Sequence, residues 1–150
     1  MDSLKIGDSL TNELAPNVAG QPLHITCEVE SKARNGVILA HGGSKVGYTL
    51  YLKDGHLVFA VHARKEIVRA TAPEVFGGKA EIEAHLAADG TMTLTVDQKQ
   101  VATAKAGGVL NSQPAEDFCV GHDNGVTVDE YDGKTLFQGI VRKLTLKTKP

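Results

Sequence analysis

The sequence predicts an all-β chain folded as a two-sheet, antiparallel jelly-roll sandwich. Three observations carry that prediction. From residue 22 onward, short runs alternate apolar and polar side chains, Asp-Gly pairs punctuate them, and no stretch keeps a helical period beyond two turns. The runs recur at the spacing of about 8–12 residues that sandwiches and barrels use.

The elements follow in order. Residues 1–20 show no strand pattern and are expected as an irregular lead-in to a single domain spanning 1–150. Leu23 to Glu30 puts apolar side chains at every odd position and polar ones at every even position, the mark of a strand with one face buried and the other wet. Gly36 to Ala40 is a continuous apolar run. Tyr48 to Lys53 alternates and meets His56 to Val61 across Asp54-Gly55, the strongest short signal for a tight hairpin. The same device at Asp89-Gly90 joins Ala80–Leu86 to Thr91–Val96, with Ile82, Leu86, Met92, Leu94 and Val96 facing inward. Further strands are expected at Ile67–Ala70, Gln100–Lys105, Phe118–Gly121 and Phe137–Lys147. The last is long, places Ile140, Leu144 and Leu146 on one face, and is expected to pair with the Leu23 strand so that both ends of the chain join one sheet.

Length and charge narrow the function classes. The chain has 150 residues, room for one domain burying roughly 68–70% of its unfolded surface. Sixteen Lys and Arg face 18 Asp and Glu, a net charge of −2, which argues against a general electrostatic grip on nucleic acid or anionic membrane. No nucleic-acid or membrane partner is therefore expected. The first eight residues show neither a basic n-region nor an apolar h-region, so no export signal is read. Cys27 and Cys119 can pair only if the fold brings their Cα atoms within about 7 Å; two part-buried thiols are the favoured reading.

Acid–base catalysis on a glycosidic bond needs two carboxylates facing one cleft. Glu28 with Glu30 and Glu81 with Glu83 have the i, i+2 spacing that aims two carboxylates at one cleft. Each pair lies on the polar side of an alternating strand, where solvated carboxylates are ordinary, and neither continues into the E-x-D-x-x-E pattern of sandwich-fold glucanases. The G-x-S-x-G elbow, the phosphate loop and the H-E-x-x-H zinc helix are absent. Histidines 24, 41, 56, 62, 85 and 122 are scattered without zinc-site spacing. No catalytic residue is assigned.

The most unusual stretch is Ala106 to Gly133, which carries Glu116, Asp117, Asp123, Asp129, Glu130 and Asp132 and no Lys or Arg. A hard cation takes about six to eight oxygens from such groups. Calcium is thus a chemically reasonable cofactor, with Asp123, Asn124, Asp129 and Asp132 as its ligands. The spacing matches no defined calcium loop, and acidity for solubility is the competing reading. For a sugar, the usual device is an aromatic ring flanked by polar groups. Trp is absent and Tyr numbers three. Tyr51 shares the polar face of its strand with Thr49 and Lys53 and is expected as an exposed platform; Tyr131 lies in the acidic loop, and Tyr48 is expected in the core. The competing reading is that all three tyrosines merely complete a sheet or a loop.

Ile25-Thr26-Cys27-Glu28-Val29-Glu30, Gly36-Val37-Ile38-Leu39-Ala40-His41-Gly42-Gly43, Gly47-Tyr48-Thr49-Leu50-Tyr51-Leu52-Lys53-Asp54-Gly55, Val120-Gly121-His122-Asp123 and Phe137-Gln138-Gly139-Ile140 form one further pattern. From about Gly7 to Leu146 it resembles the C-terminal β-sandwich of bacterial arylsulfatases, itself similar to concanavalin A-like and laminin G-like jelly rolls. Tyr48 stands where that family usually has Trp, and neither cysteine lies in the C-x-P-x-R motif that becomes formylglycine. The resemblance implies an accessory domain without sulfatase activity, periplasmic or extracellular if its parent is sulfatase-like. The expected function is non-catalytic recognition of a glycan, with Tyr51, Lys53, Thr49 and Tyr131 as ligand-binding candidates. The alternative is a structural or protein-interaction domain that packs on a catalytic partner or self-associates.

Overall fold

The computed structural model describes residues 6–11, 15–43, 45–63, 65–123, 128–129, 131 and 136–148. Within them lie eleven strands: β1 (Ser9–Leu10), β2 (Leu23–Glu30), β3 (Gly36–Gly42), β4 (Gly47–Lys53), β5 (His56–Ala63), β6 (Glu66–Val75), β7 (Lys79–Leu86), β8 (Thr91–Val96), β9 (Lys99–Lys105), β10 (Phe118–Val120) and β11 (Ile140–Lys147). They form a six-stranded sheet in the order β1-β10-β3-β4-β5-β6 and a five-stranded sheet in the order β11-β2-β7-β8-β9. Every pairing is antiparallel. The inward faces meet in one core that includes Leu23, Ile25, Leu39, Leu50, Phe59, Ile82 and Leu94. Tyr48 belongs to it, fully buried, as its alternation predicts.

Local chemistry explains most of the connections. Asp54 and Gly55 both adopt positive φ, +52° and +86°, the backbone of the two-residue turn whose twist suits a hairpin. Asp97 and Gln98 adopt the same left-handed pair between β8 and β9 without any glycine. Reciprocal bonds hold that turn, Asp97 N to Glu81 O at 2.8 Å and Glu81 N to Asp97 Oδ1 at 2.9 Å. The connection at Asp89-Gly90 differs from expectation: it is a four-residue loop, 87–90, closed by Ala87 N to Thr91 O and Gly90 N to Ala87 O. The lead-in contributes β1, which pairs with β10.

The last strand pairs with β2 as the pattern predicts, and Leu144 and Leu146 face the core as expected, but Ile140 turns outward. The strand's register shifts between Arg142 and Thr145, where Lys143 takes φ +53°. This bulge inserts one residue, so the alternation restarts. Val141 and Leu144 are buried, while Ile140 is 47% exposed.

Candidate functional site

The outer face of the six-stranded sheet positions the site. The apolar runs of β3 and β5 leave Val37, Ala40, Val58 and Ala60 on that face, where they form a second cluster with Tyr51 and Val128. An apolar outer face must be covered, and Asp123, Val128, Asp129 and Tyr131, from the acidic stretch after β10, lie against it. Val128 N donates to Asp123 Oδ2 at 2.9 Å. The Tyr131 hydroxyl donates to the same carboxylate oxygen and lies 3.1 Å from Thr49 Oγ1. Tyr51 donates to Asp129 Oδ2 at 2.5 Å, and Arg69 reaches both Asp129 oxygens. The two tyrosine rings meet edge to face, 5.0 Å apart, a favourable arrangement for aromatic quadrupoles. Burial, aided by the Asp129 and Asp123 carboxylates, raises the Tyr51 and Tyr131 hydroxyls well above the usual tyrosine range. Asp129, accepting from its guanidinium, holds Arg69 firmly in its charged form.

This covering corrects the expectation of an exposed platform. Tyr51 is 3% exposed and Thr49 fully buried, so their strand is dry on both faces despite its alternating sequence. Lys53, at the end of β4, is exposed as predicted. Asp123 and Asp129 are buried, and the bonds above spend their carboxylates on protein N–H and O–H donors. Asn124 and Asp132, the other two calcium candidates, lie outside the described residues. Among the described residues no three His, Cys, Asp or Glu side chains are gathered closely enough to hold an ion as they stand.

Beside the covered patch opens a cavity of about 600 Å³, lined by Arg34, Asn35, Tyr51, Lys53, Tyr131 and Gln138, among others. It brings together three of the four ligand-binding candidates; Thr49 lies beneath, against the Tyr131 hydroxyl. Residues 34–35 are pinned to the β4–β5 turn by Arg34 Nη2 to Asp54 O at 3.0 Å and Asp54 N to Asn35 Oδ1 at 3.0 Å. A neighbouring hollow of about 320 Å³ shares Tyr51 and Lys53 and adds His56, Arg69 and Thr71. Arg34 and Lys53 are the charged groups lining the larger cavity, while Arg69 is spent on Asp129 and Asp54 lines the smaller hollow beside it. Sequence reasoning missed Arg34, His56, Arg69 and Gln138. One signal was available: the Asp54-Gly55 hairpin sets His56 opposite Lys53. Another was the apolar character of β3 and β5 on both faces, which requires a cover over that sheet.

The glutamate pairs lie on the outer face of the other sheet. Glu28 stands opposite Glu81 in the β2–β7 register, but Lys143 Nζ holds Glu28 at 3.1 Å and Arg142 Nη2 holds Glu30 at 3.1 Å. These are ion pairs of the surface kind; with Lys143, Glu28, Glu81 and Glu83 line one hollow of about 290 Å³. Cys27 and Cys119 are buried free thiols on different sheets.

By sheet count, order and packing, the domain is a laminin G-like jelly roll. Solved structures similar to it include domains LG4-5 of the mouse laminin alpha1 chain, with TM-score 0.78, 24% identity and coverage of 98% of this chain and 40% of that one. The LG1-3 region of the laminin alpha2 chain matches with TM-score 0.73 and 12% identity, over 98% of this chain and 31% of that one. The native heptameric SAP-like pentraxin from Limulus polyphemus matches with TM-score 0.63 and 14% identity, over 97% and 69%. At these identities the likeness is one of fold. No protein-family model matches the chain, and no curated protein matches it.

Proposed function

We propose that this domain is a non-catalytic recognition module that holds an oligosaccharide at the cavity beside Tyr51, Lys53 and Tyr131. The observation that carries the reading is the convergence of two side-chain amides, Asn35 and Gln138, and two cations, Arg34 and Lys53, beside two tyrosines in one cavity of about 600 Å³. Amides and cations bond hydroxyl and acidic groups, while the half-exposed Leu136 meets the apolar face of a sugar. Arg34 and Lys53 favour sugars bearing carboxylate or sulfate over neutral ones. The solved structures above do not link the chain to sulfatases, so no sulfatase partner forms part of this reading.

Calorimetric titration with sulfated and neutral oligosaccharides tests it, with and without Ca²⁺. Saturable binding is expected, weakened about tenfold, or about 1.4 kcal/mol, in Lys53→Glu. Flat responses to every sugar under both conditions would overturn it.

A second reading, a protein-interaction domain, is favoured by the edge where β6 and β9 meet. A groove of about 580 Å³ there is lined by Leu57, Val75, Phe76 and Val101, and Val75 is 58% exposed. Light scattering of Val75→Lys separates the two: loss of assembly with an unchanged sugar response selects this second reading.

A further inference from the structure

On the opposite side of the sandwich, the outer face of β2 and β7 carries a group of side chains that the sugar cavity does not use. His24 and His85 are direct partners in the β2–β7 register, each at an outward position of its strand. Their rings stand 5.4 Å apart with planes tilted by 55°. Glu83, two residues from His85 on the same face, brings Oε1 to 4.0 Å from His24 Nε2. The His24 and Glu83 side chains are 43% and 50% exposed, so an ion from solvent reaches them unhindered.

We propose that His24, His85 and Glu83 form a surface site for a divalent transition-metal ion of the zinc, copper or nickel type. The donor set selects that class: imidazole nitrogens suit zinc, copper and nickel, whereas calcium and magnesium want oxygen shells. Two histidines and one glutamate supply three ligands and leave an open position for water or an external group. The sheet supplies the geometry. Directly opposed residues on neighbouring strands hold their Cβ atoms about 4.5–5.5 Å apart, so both imidazoles can reach an ion at the metal–nitrogen distance of about 2.0–2.1 Å. As they stand, the three donors are spread more widely than an ion requires. Rotation about their own side-chain torsions closes the gap while the β2–β7 ladder keeps the backbone fixed.

The surroundings permit this. Thr26, Thr93, Thr95 and Thr145 are the uncharged neighbours in the registers around the three residues, and Lys147, opposite His24 on β11, is the one cation in that set. Lys147 is exposed, so its long side chain can turn away from an incoming ion. A bound ion would cross-link β2 to β7 and stabilise the folded state by mass action.

The test is calorimetric titration of the untagged chain with ZnCl₂ and NiCl₂ near pH 7.5. Saturable one-to-one binding is expected, weakened about tenfold or more by His24→Ala or His85→Ala, less by Glu83→Gln, and unchanged by His122→Gln. Copper added to the unaltered chain should broaden the imidazole resonances of His24 and His85 before any others, which keeps the test decisive should a variant fold poorly. Absence of saturable binding, binding undiminished in both histidine variants, or broadening that begins at another histidine would each overturn the proposal.

Discussion

Arg69 on β6 clasps the carboxylate of Asp129 with two parallel hydrogen bonds, Nε to Oδ2 at 2.8 Å and Nη2 to Oδ1 at 2.6 Å. The Asp129 side chain is 2% exposed and that of Arg69 42% exposed. The pair therefore ties a buried charge on the covering segment to an edge strand of the sheet. A bidentate guanidinium is the geometry that compensates a desolvated carboxylate. Removing it in Arg69→Ala strands that charge, and a loss of about 2 kcal/mol is expected, discounted from the range for fully buried pairs because water reaches Arg69. Urea unfolding followed by circular dichroism checks this; a change below about 0.5 kcal/mol would show that the clasp adds little. The same variant should weaken ligand binding at the cavity, since Tyr51 shares its Asp129 anchor with Arg69.

His41 gives the fold an acid sensitivity. It is fully buried, with Nδ1 2.9 Å from the Tyr48 hydroxyl and its ring edge-on to Tyr48 and Phe118. Its Nε2 has no hydrogen-bond partner among the described residues. Burial pushes its pKa down to about 4 from an ordinary 6.5. Between those values the unfolded chain binds more protons than the folded one, so the contribution is complete above about pH 6.5 and lost as pH falls toward 4. A loss of about 3 kcal/mol across that window is expected, and His41→Gln should flatten it. Stability measured at several pH values in both proteins decides the matter; an identical profile in the variant counts against His41.

Gly90 predicts a backbone effect. It takes φ +93°, and a Cβ added there would lie 2.3 Å from Ala106 O and 2.6 Å from Gly108 N. Both contacts are to backbone, which cannot rotate aside. Gly90→Ala should lower stability by about 3 kcal/mol, combining the left-handed penalty with overpacking. Ala88→Gly, at an exposed position of the same loop, serves as the control and should cost well under 1 kcal/mol. Equal melting temperatures for the two variants would contradict the close approach.

The thiols should be silent. Burial pushes Cys27 up to about 12. Burial, then the charges of Asp123 and Asp117, push Cys119 up to about 12. The thiolate is the reactive form, so Ellman's reagent at pH 8 should modify neither cysteine in the folded chain and both in denaturant. Rapid reaction of either in the native state would refute their burial.

Much of the fold was legible because its determinants are local. The strict alternation of Leu23 to Glu30 is matched by buried Leu23, Ile25, Cys27 and Val29, and Asp54-Gly55 supplies the two left-handed residues its hairpin needs. Tyr51 shows where local reading stops. Its strand alternates with Thr49 and Lys53 as if one face were wet, yet the segment around Val128 and Tyr131, some 80 positions further along the chain, covers that face. Ile140 shows the same limit: a bulge at Lys143 puts it out of phase with Leu144 and Leu146, so that Val141 faces inward in its place, and nothing in the alternation marks it.

The amino-acid order by itself determined the class of fold and the pairing of neighbouring strands, because period-two burial and turn chemistry act over a few residues. Net charge is equally legible there, being a sum over the chain. Tertiary structure decided where a ligand could rest. Arg34, Lys53, Tyr131 and Gln138 come from separate stretches of chain and meet only when the sheet and its covering segment pack, and His24 finds His85 only through the β2–β7 register. Such encounters depend on which distant surfaces exclude water together, and no short run of residues encodes that.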